Sequence, residues 1–148
     1  MTTGDKLGHV LVGVDGSESS IQALEWAADL AERTGATLRT VTTWEWPTSY
    51  GWAFAFPSGY DPSSDAKKVL DGALGPVRSA HPGLRIDEAV IEGHPAQVLV
   101  RESGDADLVV VGSRGHGEFA GMLIGSVSEH CVSNARCPVV VVRDGHRS

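Results

Sequence analysis

Glycine and serine residues crowd one stretch of the sequence in a pattern that suits the binding of an anion. Five of the 18 glycines fall between Gly112 and Gly125, and the last is followed by Ser126, Val127 and Ser128. Glycine gives the main chain conformations closed to other residues, so a ligand can approach the backbone closely. A helix that begins after Gly125 would add unpaired N–H groups and the positive end of its dipole. We interpret this glycine stretch, residues 112–125, as a phosphate-binding loop; a glycine loop with a simple helix cap is the alternative.

Polar side chains near these glycines are candidates for the same site. Arg114 is the cation inside the glycine stretch, where it either meets a phosphate or lies in solvent. Ser126 and Ser128 carry hydroxyl groups that can donate to the same anion. Asp15 follows the first apolar run in an Asp-Gly pair, and two roles are open for it: a residue that faces the ligand, or an ordinary turn residue.

The chain lacks the sequence signals of efficient phosphoryl transfer. Its three lysines, Lys6, Lys67 and Lys68, all lie outside the glycine stretch, and neither a G-x-x-x-x-G-K-[ST] motif nor a kinase signature occurs. Stabilising the transition state of phosphoryl transfer calls for cations and a positioned base or water-orienting residue. We therefore expect ligand binding with slow hydrolysis at most, and no catalytic residue is assigned. A slow ATPase or phosphotransfer enzyme remains the alternative.

Strands and helices alternate along the chain in the order that places these residues at one edge of a parallel sheet. Short apolar runs predict strands over residues 9–14, 37–43, 84–92, 107–111 and 138–142. Helices are predicted from a cap at Ser17 or Ser19 to the stop at Gly35, and over 65–80, about 93–103 and 126–134. The apolar face of the second helix is expected on Ala66, Val69, Ala73, Val77 and Ala80.

This alternation predicts a doubly wound α/β domain with helices on both faces of the sheet. In open parallel sheets, ligands bind beyond the carboxyl ends of the strands where the strand order reverses. If the first and fourth strands are neighbours, the turn around Asp15 and the glycine stretch face each other across one crevice.

Composition limits the remaining function classes. The 148 residues suit one domain, and 12 Lys and Arg against 19 Asp and Glu give a formal charge of −7, which disfavours nucleic acid or anionic lipid as a partner. Cys131 and Cys137 are too few for a zinc site, and we expect both to be buried thiols in a reducing cytoplasm. The first residues contain no apolar run and about 18 consecutive apolar residues occur nowhere, so we expect neither an export signal nor a membrane-spanning helix.

Two segments together resemble a known family. The pattern Gly112-x-x-Gly115-x9-Gly125-Ser126, between an Asp-Leu-Val-Val-Val run and a Cys-Pro-Val-Val-Val-Val run, resembles the nucleotide-binding subgroup of the universal stress proteins. The start, Val-Gly-Val-Asp15-Gly-Ser17, is similar to the first strand and turn of that family. The resemblance covers about residues 9–143 of a single domain.

The resemblance implies a Rossmann-like ATP-binding fold with sheet order 3-2-1-4-5, often a homodimer, that acts as a regulator or sensor in stress response. It implies that Asp15 lies near the ribose or the metal-phosphate end, that Gly13 and Val14 line the base, and that the main chain of Thr43 contacts adenine. Mg²⁺ or Mn²⁺ would arrive with the nucleotide. Some relatives prefer cyclic AMP, which stays an alternative ligand. The ribose and phosphates would fall on Gly112, Gly115, Gly125, Ser126, Val127 and Ser128.

Two further segments carry expectations about packing. Seven of the nine aromatic residues lie in 44–60, where they either pack as ordinary core or form a lid over the adenine or a partner-binding surface. Under the strand order of the family, the valine run of residues 138–142 lies at a sheet edge, and such an edge invites pairing with a second copy. We therefore predict a homodimer joined through the last strand.

Overall fold

A computed structural model describes residues 7–46, 59, 61–114 and 124–143 of the chain. Within them, five strands alternate with four helices, as predicted. The strands are β1 (His9–Gly13), β2 (Thr37–Trp44), β3 (Ile86–Glu92), β4 (Leu108–Gly112) and β5 (Val139–Val142). The helices are α1 (Glu18–Thr34), α2 (Pro62–Ala80), α3 (Pro95–Glu102) and α4 (Ser126–Asn134), and a 3-10 turn, Ser103–Asp105, follows α3.

The strands form one parallel sheet in the order β3-β2-β1-β4-β5. This order confirms the predicted arrangement 3-2-1-4-5. In the central strand, Val10 is paired with Leu38 of β2 on one side and with Leu108 of β4 on the other. The chain thus builds the sheet outward from β1 to β3 and then crosses to β4, so the order reverses between β1 and β4. In such a sheet this is the place for a ligand.

Apolar side chains of the sheet pack against helices on both faces. Val10 and Val12 of β1 lie on one face with Leu24 of α1 and Leu70 of α2. The intervening residue Leu11 lies on the other face, where Leu99 of α3 and Cys131 of α4 cover it. Because successive side chains of a strand point to opposite faces, a short apolar run is buried on both. The doubly wound fold class is therefore confirmed.

Local signals at its two ends define α1. The Ser17 hydroxyl oxygen accepts a hydrogen bond from the N–H of Ser20 at 3.2 Å, which makes Ser17 the cap and settles the choice between Ser17 and Ser19. The helix ends at Gly35, whose φ of 77° lies in the left-handed region that favours glycine. Ser19 is left as a buried polar residue, 7% exposed.

The prediction for α2 was wrong in its start and right only in part in its buried face, where Ala66 and Val77 are buried as expected. The helix begins at Pro62 rather than at residue 65, because the Asp61 carboxylate caps it and proline is tolerated in a first turn. Its buried face includes Leu70 and Leu74, whereas Val69, expected inside, is 37% exposed. Two leucines four positions apart bury more apolar area than the valine and alanines of the predicted face.

Smaller corrections concern the strands and one thiol. Strand β3 begins at Ile86 rather than at residue 84, and β5 begins after Pro138, which has no N–H to donate to a ladder. Cys131 is fully buried, but Cys137 is only partly buried, contrary to expectation.

Most of the aromatic segment 44–60 lies outside the described residues. No helix in the described part of the chain is long and apolar enough to cross a membrane.

Candidate functional site

A crevice of about 550 Å³, its open mouth included, lies at the carboxyl ends of β1 and β4. It brings together most of the residues proposed from the sequence. Ser126 is exposed in the first turn of α4 and is not part of the lining, and Gly115 lies outside the described residues. The proposed residues that line the crevice are Gly13, Val14, Asp15, Thr43, Gly112, Arg114, Gly125, Val127 and Ser128.

The turn after β1 is held by the first residues of α1. One carboxylate oxygen of Asp15 accepts hydrogen bonds from the N–H of Ser17 at 2.9 Å and from its hydroxyl at 2.6 Å. The N–H of Asp15 donates to the hydroxyl oxygen of Ser20 at 3.2 Å. Asp15 is therefore a turn residue of the kind its Asp-Gly pair indicates, and it also lines the crevice.

Two glycines of the lining lie close to neighbouring atoms, and at Gly112 those atoms include backbone that a side-chain movement cannot clear. A Cβ atom at Gly112 would lie 2.5 Å from the Ser19 hydroxyl oxygen and 2.6 Å from the Ser19 carbonyl oxygen. A Cβ atom at Gly13 would lie 2.9 Å from a methyl carbon of Leu99. The absence of a side chain at Gly112 therefore lets the end of β4 lie against the first turn of α1, a reason that the sequence reasoning on ligand approach did not foresee.

The start of α4 faces the crevice without a side-chain cap. Gly125 is the N-cap residue, and the first bond within the helix runs from the Glu129 N–H to the Gly125 carbonyl oxygen at 2.9 Å. The N–H groups of residues 126–128 precede that bond, at the positive end of the helix dipole. The N–H of Gly125 itself donates to the Ser113 carbonyl oxygen.

The hydroxyl of Ser128 points into the protein. It donates a hydrogen bond to the Gly112 carbonyl oxygen, and the residue is 3% exposed. In this arrangement Ser128 offers a ligand its backbone N–H, whereas its hydroxyl ties α4 to the end of β4.

Charge in the described lining consists of one cation and one anion, Arg114 and Asp15. Arg114 is partly buried, and its N–H donates to the Ser19 hydroxyl oxygen at 3.2 Å. Among the described residues, no group of three or more histidine, cysteine, aspartate or glutamate side chains could hold a metal ion. A divalent cation at this crevice would thus depend on oxygens of the ligand for part of its coordination.

An apolar wall, which was not predicted from the sequence, completes the crevice. Val41 of β2, Pro95 and Leu99 of α3, and Val111 of β4 form this wall, and Ser20 adds a polar group. Two spacings in the sequence indicate parts of this wall. Pro95 and Leu99 are four positions apart on one helix face, and Val41 lies two positions from Thr43 and so shares a face of β2 with it. An apolar wall beside a few polar groups is typical of small-molecule sites.

Shifted pKa values occur away from the crevice. Burial raises the pKa of the Cys131 thiol to about 11, and burial also raises the pKa of Cys137. Hydrogen bonds from the backbone N–H groups of His9 and Gly8 lower the pKa of Asp107, next to the amino end of β4. These groups belong to the core and to the opposite end of the sheet.

The order of the sheet and the crevice at its switch point define a Rossmann-like α/β protein. The model of the universal stress protein family matches residues 6–143, and the chain belongs to that family. It is 40% identical over 141 residues to universal stress protein Rv2623 of Mycobacterium tuberculosis, a match that covers 91% of this chain and 45% of the relative. Rv2005c of the same organism is 39% identical over 137 residues, with 90% and 45% covered. The chain thus spans about half the length of these relatives.

A solved structure shows the same fold. The crystal structure of a universal stress protein in complex with cAMP is 29% identical to this chain, with a TM-score of 0.68. The match covers 93% of this chain and 97% of the other.

Proposed function

We propose that this chain binds ATP in the crevice between β1 and β4 and acts as a nucleotide-dependent regulator or sensor in stress response. The observation that carries the proposal is the glycine-capped start of α4, which lines the same crevice as Arg114. Backbone N–H groups and a helix dipole that converge beside a cation suit a phosphate group.

Each part of the crevice suits a part of the nucleotide. The phosphates would be held by the backbone N–H groups of residues 126–128 and by Arg114. The base would pack on the apolar wall, for which Leu99 and Val41 supply apolar surface beside Thr43. Asp15 would lie near the ribose or the metal-phosphate end, and Mg²⁺ or Mn²⁺ would enter with the phosphates. The donor set thus fits an adenine nucleotide.

Binding rather than turnover is the expected activity. Arg114 is the single cation among the described residues of the lining, and the three lysines of the chain lie elsewhere in the sequence. A transition state of phosphoryl transfer would need more positive charge and a positioned base. Hydrolysis should remain far below about 1 per second, the low end of typical enzymes.

Cyclic AMP is the second candidate ligand. The relative of known structure that is 29% identical to this chain is in complex with cAMP. One arginine and one helix start are also a modest amount of positive potential, which suits a single phosphate charge as well as it suits three phosphates with a metal ion.

Identification of the bound nucleotide tests the proposal. The purified protein is denatured, and the released small molecules are identified by mass spectrometry. Calorimetry then measures the affinities for ATP and cyclic AMP in the wild type and in Gly125→Val, whose side chain would block the approach of phosphate to the start of α4. Gly72→Val is the matched control, because a Cβ at Gly72 meets nothing within 4 Å and α2 lies outside the crevice.

The expected result is affinity for at least one nucleotide in the wild type and in the control, and its loss in Gly125→Val. Equal affinity in all three proteins would contradict the assignment of the site, and tight binding of cyclic AMP alone would replace ATP. A phosphate-release assay with Mg²⁺ in the same proteins decides between the regulator and the slow enzyme.

We also propose that the protein forms a homodimer through β5. This strand lies at an edge of the sheet, its four valines are all partly exposed, and Val132 of the neighbouring α4 is 54% exposed. The opposite edge, β3, carries Asp87, Glu88 and Glu92. Charged side chains protect an edge strand from pairing, so β5 is the edge suited to a second copy.

The cytoplasm is the compartment that we propose for the protein. Both cysteines are free thiols in the structure, which suits a reducing environment. The formal charge of −7 makes nucleic acid and anionic membrane surfaces unsuitable partners.

A further inference from the structure

Both ends of the glycine stretch are tied to the rest of the fold by hydrogen bonds. At its start, the N–H of Arg114 donates to the Ser19 hydroxyl oxygen at 3.2 Å, and the Gly112 carbonyl oxygen accepts from the Ser128 hydroxyl. At its end, the N–H of Gly125 donates to the Ser113 carbonyl oxygen. The two ends are thereby held beside each other.

Among these residues Ser19 has no other evident role. It lies in the first turn of α1, but the cap of that helix is Ser17. It is 7% exposed, and its hydroxyl and carbonyl oxygens occupy the space that a side chain at Gly112 would need. A buried hydroxyl is retained where its hydrogen bond has a structural use, because burial without a partner is costly.

We infer that Ser19 is a positioning residue, which holds the start of the glycine stretch in the orientation that presents it to the phosphates of the nucleotide. The inference rests on the proposed nucleotide site. It goes beyond that site because Ser19 itself is not part of the crevice lining. A loop that is held in its binding conformation loses less conformational entropy when the ligand binds, and the affinity rises accordingly.

The same bond links the two segments that face each other across the crevice. Ser19 lies between Ser17, which donates to Asp15, and Ser20, which accepts from the N–H of Asp15. The first turn of α1 therefore supports the Asp15 turn on one side and the glycine stretch on the other. Removing the Ser19 hydroxyl should loosen residues 112–114 at the start of the glycine stretch and leave the Asp15 turn in place.

The experiment compares Ser19→Ala with Ser103→Ala. Ser103 is a matched control: it is 1% exposed, and its hydroxyl oxygen accepts a backbone N–H from an arginine, Arg136, at 2.9 Å. It follows α3 and is not part of the crevice lining. Calorimetry measures the affinity of each protein for ATP and for adenosine, which lacks phosphates. Hydrogen exchange measures the opening of the Gly125 N–H without ligand, since the acceptor of that group is unchanged by the substitution.

We expect Ser19→Ala to weaken ATP binding about fivefold, the effect of one hydrogen bond, and to leave adenosine binding within about twofold. Exchange at Gly125 should rise by a similar factor. Ser103→Ala should change neither quantity, although both variants lose stability. Ser19→Thr, which keeps the hydroxyl, should restore ATP affinity.

Three results would overturn the inference: equal ATP affinities in the two alanine variants, equal weakening of ATP and adenosine, or unchanged exchange at Gly125 in Ser19→Ala. A wild-type protein that binds no nucleotide would refute the proposed function instead. The exchange measurement would then still decide whether Ser19 holds the glycine stretch, because it needs no ligand.

Discussion

Replacing Gly112 by alanine introduces one methyl group where β4 meets α1. The new Cβ would lie 2.5 Å from the hydroxyl oxygen, 2.6 Å from the carbonyl oxygen and 2.7 Å from the carbonyl carbon of Ser19. Two of these three atoms belong to the backbone of α1, so a side-chain rotation cannot relieve the contact. Ordinary van der Waals contacts of a Cβ atom lie at 3.4–4 Å, and the helix must therefore shift by roughly 1 Å.

The expected loss of stability follows from this geometry. Overpacking a well-packed region costs about 1–3 kcal/mol, and contacts with backbone atoms place Gly112→Ala near the upper end. The φ angle of Gly112 is not positive, so alanine also gains roughly 0.4–1 kcal/mol by restricting the unfolded chain. The net decrease in the free energy of unfolding is about 2 kcal/mol, which corresponds to a fall in Tm of roughly 4–8 °C.

Urea unfolding and calorimetry of three variants measure this effect. Gly72→Ala serves as the control, because its Cβ meets nothing within 4 Å, and alanine in the helix interior should raise the free energy of unfolding by about 0.5–1 kcal/mol. The double variant Gly112→Ala, Ser19→Ala should not recover the loss, since the backbone contacts remain. A free energy for Gly112→Ala within about 0.5 kcal/mol of the wild type, or full recovery in the double variant, would refute the close-approach argument.

Three further predictions concern the edge strand, one carboxylate and the thiols. Val140→Lys should convert the proposed dimer into monomer in sedimentation experiments, and a wild type that is monomeric at micromolar concentration would exclude the dimer. Hydrogen bonds donated by the main chain of His9 and its neighbour lower the pKa of Asp107. The charged carboxylate therefore stabilises the fold above the unfolded pKa near 3.8, and this stabilisation is lost as the pH falls through the folded pKa. Unfolding between pH 6 and pH 2 should therefore show the advantage of the wild type over Asp107→Asn shrinking with acid; a constant difference would contradict this cause. Because burial raises the pKa of Cys131 to about 11, a thiol reagent at pH 8 should modify Cys137 first and Cys131 only on unfolding, and equal rates in the native protein would count against the buried thiol.

Local patterns in the sequence were sufficient for the elements and for most of the candidate site. Apolar runs bounded by glycine and aspartate predicted β1 and β4, because strands buried on both faces need continuous apolar residues. The cap at Ser17 and the stop at Gly35 are likewise local, since each acts on backbone groups within a few residues. Asp15 and Gly125 could be proposed as site residues because the carboxyl ends of parallel strands lie at one edge of the sheet.

Tertiary structure alone decided how these elements meet. The α2 face that is buried depends on the shape of the sheet beneath it, so helical spacing found only part of that face and placed Val69 inside. The spacing of Pro95 and Leu99 indicates a shared helix face, but the packing of α3 beside β1 and β2 decides that this face lines the crevice. The hydroxyl of Ser128 was expected to face a ligand, whereas the fold turns it towards Gly112.

The contact between α1 and the glycine stretch shows the limit most clearly. Sequence by itself determined a strand, a helix and a glycine at the right positions, because propensity, capping and hydrophobic period act over a few residues. Ser19 and Arg114 are 95 positions apart, and nothing in either segment indicates the other. Their contact exists because β1 and β4 are adjacent in the sheet, which brings the first turn of α1 against the end of β4. The packing of distant segments in three dimensions therefore decided why position 112 is a glycine.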